Sequence, residues 1–140
     1  AIAKFDISPS SLKLELTETV ILDNTSETVE KMHQLKRAGV EFALDDFGTG
    51  YSSLSYLTQL PLSQLKMDQS FVRNIGLTEG DDIIVQTIIV MAKSLGIRVI
   101  AEGVETEAQC SFLKNLGCPL FQGYLFSKPV PVAEFEKLLE

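Results

Sequence analysis

Short stretches of alternating polarity recur along this chain of 140 residues, separated by longer stretches with helical spacing. Leu12–Thr17 reads Leu-Lys-Leu-Glu-Leu-Thr, the period of two expected of a half-buried strand. After Asn24, Val29, Met32 and Leu35 fall at helical spacing, and the segment stops at Gly39, a residue suited to the position just past a helix end. The pattern then predicts strands at Glu41–Asp45, Gln64–Asp68, Ile97–Ala101 and Leu120–Tyr124. Between and after them it predicts helices at Ser52–Leu60, Asp81–Leu95, Glu105–Leu116 and Val132–Leu139, the first three closed by Pro61, Gly96 and Gly117. Successive strand–helix units of this kind define an α/β fold with a parallel sheet and helical crossovers. Both a doubly wound sheet and a (β/α) barrel fit the pattern. The repeat is about 28 residues, so eight units would need roughly 224, close to the ~250 typical of a closed (β/α)8 barrel. Five units cannot close one, so the pattern predicts either an open sheet or five units of a barrel.

Strand parity sorts the polar residues, because successive side chains point to opposite faces. Leu12, Leu14 and Leu16 share a face, which leaves Glu15 on the other. Phe42 and Leu44 pack, leaving Ala43 and Asp45 opposite; Leu65 and Met67 pack, leaving Lys66 and Asp68. Val99 and Ala101 pack while Glu102 faces away, and Gln122 follows Phe121. Every predicted strand therefore places a charged or amide residue near its C-terminal end, where ligands bind in parallel α/β folds. Glu15, Asp45, Asp46 and Glu102 are expected to converge there with Lys66 between them. Crowded carboxylates repel unless they are protonated or share cations. An all-oxygen set suits Mg²⁺ or Mn²⁺ rather than zinc, and the adjacent pair Asp45–Asp46 could face two metals at once. Any one of these acids alone reads as a solvated strand end; strand after strand ending this way reads as a site.

Charge and cysteine content limit what that site could serve. Twelve Lys and Arg against nineteen Asp and Glu give a net charge of −7, the wrong sign for binding duplex nucleic acid through a basic surface. Phosphate bridged by metal remains compatible. The longest apolar stretch, Ile83 to Ala92, is interrupted by Gln86 and Thr87 and is far below the ~20 residues of a membrane span. The chain opens without a secretion signal, and Cys110 and Cys118 are expected as reduced, buried thiols of a cytoplasmic protein. Asp46-Phe47-Gly48 matches a kinase triplet, but a glycine-rich phosphate loop, a strand lysine before it and a His-Arg-Asp segment are all lacking. His33, the only histidine, lies in a helix among Lys31, Lys36 and Arg37 and reads as a surface residue.

Several segments resemble one known family. They are Leu14-Glu15-Leu16-Thr17-Glu18-Thr19, Asp45-Asp46-Phe47-Gly48-Thr49-Gly50-Tyr51-Ser52-Ser53-Leu54, Leu65-Lys66-Met67-Asp68-Gln69-Ser70-Phe71-Val72, Ala101-Glu102-Gly103-Val104-Glu105-Thr106 and Phe121-Gln122-Gly123-Tyr124-Leu125-Phe126. In order and spacing they resemble the EAL-domain phosphodiesterases, which hydrolyse cyclic di-GMP in bacterial second-messenger signalling. The resemblance implies an α/β fold comprising the C-terminal five β/α units of a TIM-like (β/α)8 barrel, with residues 1–140 a single partial domain and no linker. It implies a two-metal site in which Glu15 and Asp45 bind one metal and Asp45, Asp46 and Glu102 serve the second. It also implies that Lys66 holds or activates the attacking water with Asp68 in support, and that Glu18 anchors the loop from Asp46 to Ser53. Glu105 and Gln122 would contact substrate or the groups around it, and the product would be linear pGpG.

The departures from the family pattern matter as much. The Glu-x-Leu motif on an early strand, the Arg that follows it and an Asn ligand from a later strand all precede the Glu15 segment in the family, and none lies in residues 1–14. Gln69 and Pro119 stand where the family often has Arg and Asp. The resemblance therefore implies a cyclic di-GMP phosphodiesterase as the parent domain, with weak or absent turnover from these 140 residues alone. The alternative is a non-catalytic module that binds the dinucleotide or regulates. Exposed sheet edges predict a homodimer or a partner chain that completes the sheet.

Overall fold

The computed structural model describes Lys4, residues 6–17, residues 25–48 and residues 54–139. After a 3-10 turn at Pro9–Ser11 the elements run β1 (Lys13–Thr17), α1 (Thr25–Arg37), β2 (Glu41–Phe47), α2 (Leu54–Leu57), β3 (Gln64–Met67), α3 (Gln69–Arg73), α4 (Glu79–Ser94), β4 (Arg98–Glu102), α5 (Glu107–Asn115), β5 (Leu120–Gln122) and α6 (Val132–Phe135), with a final 3-10 turn at Glu136–Leu138. The predicted strands and helices are present, with ends displaced by a few residues.

The displacements have local causes. Helix α4 starts at Glu79 because the Thr78 side chain accepts the Asp81 N–H and Glu79, Asp81 and Asp82 sit at the positive end of the helix dipole. Helix α5 opens with a reciprocal capping box between Thr106 and Gln109, which shifts its start from Glu105 to Glu107. Strand β5 stops at Gln122 because Gly123 turns beneath the backbone of Val104; a Cβ there would lie 2.1 Å from the Val104 carbonyl oxygen. Of the helix predicted at Ser52–Leu60, residues 52 and 53 lie outside the described residues. Helix α3 was not foreseen. It follows directly on β3, with the Asp68 side chain accepting the Ser70 N–H as its cap.

All neighbouring strands are parallel and lie in chain order, β1-β2-β3-β4-β5. A doubly wound sheet reverses its order at a switch point, whereas a barrel adds each strand on the same side of the last. The order therefore decides for the barrel type, and the chain forms five units of a TIM-barrel-like fold. One sheet face carries Phe42, Leu44, Leu65, Met67, Val99 and Ala101, all buried. Against it α4 lays Val85, Ile88, Ile89 and Ala92, spaced i, i+3, i+4, i+7, and α5 adds Cys110 and Leu113. The opposite face is polar at both ends.

Cys110 and Cys118 are buried and unpaired, as the composition suggested, and burial pushes the Cys118 thiol up. The exposed His33 bonds the Gln59 carbonyl through Nε2 at 3.2 Å. Among the described residues no helix is long and apolar enough to cross a membrane.

Candidate active site

The C-terminal ends of β1 to β4 bring Glu15, Asp45, Lys66 and Glu102 together on the polar face of the sheet. Lys66 lies at the centre. Its ammonium reaches Asp45 Oδ1 at 2.9 Å, Glu15 Oε2 at 3.1 Å and Glu102 Oε1 at 3.1 Å. These contacts occupy the three donors of the group. Glu15 and Lys66 belong to strands separated by β2, roughly 10 Å apart. They meet because the residue level with Glu15 on β2 is Ala43, fully buried and too short to intervene.

Asp45 and Asp46 reach the site together through a bulge. In a regular strand Asp46 would follow Leu44 to the packing face. Instead, the register between β2 and β3 shifts between Leu44 and Phe47, and Asp46 takes φ 53°, in the left-handed region that Asp tolerates better than most residues. Phe47 then fills the buried position, and the Asp46 N–H donates to Asp45 Oδ1 at 3.1 Å. Asp45, Asp46 and Glu102 consequently each offer an oxygen within 4.8 Å of the other two.

Electrostatics at the cluster are strained. Burial pushes the Glu102 carboxyl above its ordinary value; Lys66 opposes this, and the charges of Asp45 and Glu15 add to the rise. For Lys66 burial works to lower the value, but the hydrogen bonds to Asp45, Glu102 and Glu15 outweigh it, and the net shift is upward. In this arrangement the Lys66 ammonium is held as a donor to three carboxylates.

A cleft of roughly 660 Å³ opens beside the cluster. Asp46, Asp68, Glu102, Glu105 and Gln122 all line it. Asp68 is engaged as the α3 cap, accepting from Ser70 N at 2.9 Å and from the Ser70 hydroxyl at 2.5 Å. Glu15 pairs with Lys66 and stands apart from the trio of Asp45, Asp46 and Glu102. Glu18 and the loop residues 49–53 lie outside the described residues. Reasoning from strand parity missed Gln69 and Arg73 of α3 and Tyr124 and Lys128 after β5, which also line the cleft. The Asp68-x-Ser70 cap was the available signal for α3. Gly103, at φ 72°, lets α3 approach β4, because a Cβ there would lie 2.6 Å from Gln69 Cβ.

A parallel barrel-type sheet with an acidic cluster at its carboxyl ends defines the general class, and comparison with known proteins defines the family. The EAL domain family model matches residues 1–129, and the chain belongs to that family. It is 45% identical over 139 residues to the cyclic di-GMP phosphodiesterase NbdA of Pseudomonas aeruginosa, covering 99% of this chain and 18% of NbdA. Among solved structures it is similar to the MucR phosphodiesterase in complex with c-di-GMP, at a TM-score of 0.91 and 40% identity, covering 96% of this chain and 54% of that one. It is also similar to Klebsiella pneumoniae BlrP1 in a manganese and c-di-GMP complex, at a TM-score of 0.84 and 37% identity, covering 91% of this chain and 33% of that one. The chain thus spans about a fifth of NbdA and at most about half of these structures.

Proposed function

We propose that the chain forms the catalytic half of a phosphodiesterase domain that hydrolyses cyclic di-GMP to linear pGpG with divalent metal. The observation that carries this is the cluster of Asp45, Asp46 and Glu102 beside the cleft, with Lys66 fixed among carboxylates. Three carboxylates there share one ammonium with Asp46 beside them, and every donor is an oxygen. This set fits Mg²⁺ or Mn²⁺, hard cations that would relieve the crowding which pushes Glu102 up. Asp45, Asp46 and Glu102 would hold them, with Glu15 serving the first. Divalent cations held there supply neutralisation of a phosphodiester and a lowered pKa for water.

The protein groups have separable tasks. Lys66 positions Glu15, Asp45 and Glu102 and presents positive charge to an anionic substrate or to the water that attacks it. Asp68 supports Lys66 indirectly, by anchoring α3 at the end of the Lys66 strand. Glu105 and Gln122 orient the dinucleotide in the cleft. Glu18 anchors the loop from Asp46 to Ser53. Residues 1–140 act as one partial domain in the cytoplasm. They are weakly active or inactive alone, because the other ligands of the first metal lie on strands beyond β1. The outer strands among the described residues, β1 and β5, pair with a second copy or a completing chain, which light scattering would detect as a dimer.

The test is turnover of cyclic di-GMP with Mg²⁺ or Mn²⁺, followed by chromatography of the products. A full-length protein carrying the segment should release pGpG, and Asp46→Ala should abolish this. Tight binding without turnover by that protein would instead support the non-catalytic module.

A further inference from the structure

Asp45 and Asp46 lie near the end of β2 and Glu102 at the end of β4, two strands separated by β3 and so roughly 10 Å apart. Their carboxylate oxygens nevertheless come within 4.8 Å of one another. Lys66, on β3 between them, draws Asp45 and Glu102 together. Strand β3 stops at Met67 and the chain turns directly into α3. Both flanking chains then run against that short helix. Two residues past Asp46, Gly48 packs on the Phe71 ring; a Cβ there would lie 2.7 Å from Phe71 Cε2 and 2.9 Å from Cζ. One residue past Glu102, Gly103 packs on Gln69, as described above. Contacts this close admit only glycine. The helix has anchors of its own: Val72 is fully buried, Asp68 caps the first turn, and Phe71 also packs against the core. Nothing in the scheme above uses Phe71.

Building on the divalent-metal reading of the site, we infer that α3 is a wedge that sets the spacing between the Asp45–Asp46 and Glu102 strand ends, with Phe71 a positioning residue for cation binding. Carboxylates that repel one another cannot fix their own separation. Lys66 pulls them in, and α3, with one residue against each flanking glycine, sets how the strand ends stand apart. Removing the Phe71 ring gives Gly48 room to shift, and Asp46 shifts with it. Phe71 has no ligand atom, so it acts through Asp45 and Asp46 alone. Groups that only orient metal ligands change affinity by about 10–100-fold when they are lost.

The probe is Mn²⁺ alone, titrated into full-length protein carrying the segment and followed by electron paramagnetic resonance of the free ion. Phe71→Ala should raise the Mn²⁺ Kd about tenfold, and Phe71→Leu, which keeps part of the bulk, should raise it less. Leu113→Ala, in the core on α5 and outside the cleft lining, controls for lost packing. It should lower the melting temperature at least as much as Phe71→Leu, yet leave the Mn²⁺ Kd within about twofold. Turnover of cyclic di-GMP by Phe71→Leu should fall at limiting Mn²⁺ and return to within about twofold of wild type at saturating Mn²⁺. Where Phe71→Ala does not fold, Phe71→Leu carries the test. An unchanged Mn²⁺ Kd in the folded Phe71 variants overturns the wedge, as does an equal loss in Leu113→Ala; both outcomes leave the function reading intact. A wild type that binds no Mn²⁺ overturns the function reading and the wedge together.

Discussion

The polar face of the sheet has two tiers of charge built from the same residue types, and they come out opposite. At the N-terminal ends of the strands Glu41 lies 3.9 Å from Lys13 and 3.6 Å from Arg98, and Lys13 also donates to the Gln64 side chain. One carboxylate there is shared by two cations. At the C-terminal ends one ammonium is shared by Glu15, Asp45 and Glu102, with Asp46 beside them. The lower tier is electrically satisfied by its own residues and would repel a metal ion. The upper tier is not, and a surplus of fixed negative charge beside a cleft is what distinguishes a binding site from a surface network. Ion pairs as such are present in both.

Substitutions can separate the tiers. The largest effect is expected for Asp46→Ala in full-length protein, with kcat/KM for cyclic di-GMP down by about a hundredfold or more, since charge stabilisation of several kcal/mol is at stake. Glu41→Gln in the lower tier should leave turnover within about twofold, and a comparable loss there would collapse the distinction. Next comes Lys66→Met, which leaves the upper carboxylates without their ammonium. In chelator it should cost about 2–4 kcal/mol in denaturant unfolding, near the range for breaking a buried pair from one side. Mn²⁺ should restore more of that loss than it adds to wild type.

A smaller effect concerns pH. The folded Glu102 carboxyl holds its proton to higher pH than the unfolded one, so its contribution to stability falls as pH rises from the ordinary carboxylate range toward its raised value. Glu102→Gln should therefore match or exceed wild type at neutral pH in chelator, and should flatten that part of the stability profile. It should also blunt the shift in melting temperature with Mn²⁺. Greater stability of wild type over Glu102→Gln at neutral pH without metal would mean that the upper tier is self-satisfied after all. The smallest change is Glu41→Gln on stability, within about 1 kcal/mol for a partly exposed pair and indifferent to divalent cations.

Much of this was legible in the chain itself, for reasons that show where such reading stops. Alternation at Leu12–Thr17 and the i, i+3, i+4 stripe through Val85, Ile88 and Ile89 are local, so the strands and long helices could be found. Parity placed Glu15, Asp45, Lys66 and Glu102 on one face because it needs only the strands. It could not place Asp46, whose left-handed backbone reverses the parity that the pattern assumes. Strand order, which separates a barrel from a doubly wound sheet, is a property of crossovers and leaves no trace in periodicity. Arg73 and Lys128 are 55 positions apart and line one cleft only through tertiary packing. Helix α3 was obscured because Asp68 served equally well as the last residue of a strand.

The bulge at Asp45–Asp46 also sets a trap for anyone improving this domain. Deleting one residue there would give β2 and β3 an unbroken ladder, remove a left-handed backbone conformation and delete a charge from a crowded cluster. By each local measure the shortened chain would be the better sheet. It would also have only one of the two adjacent acids on the working side. Selection for robustness alone would iron out this irregularity.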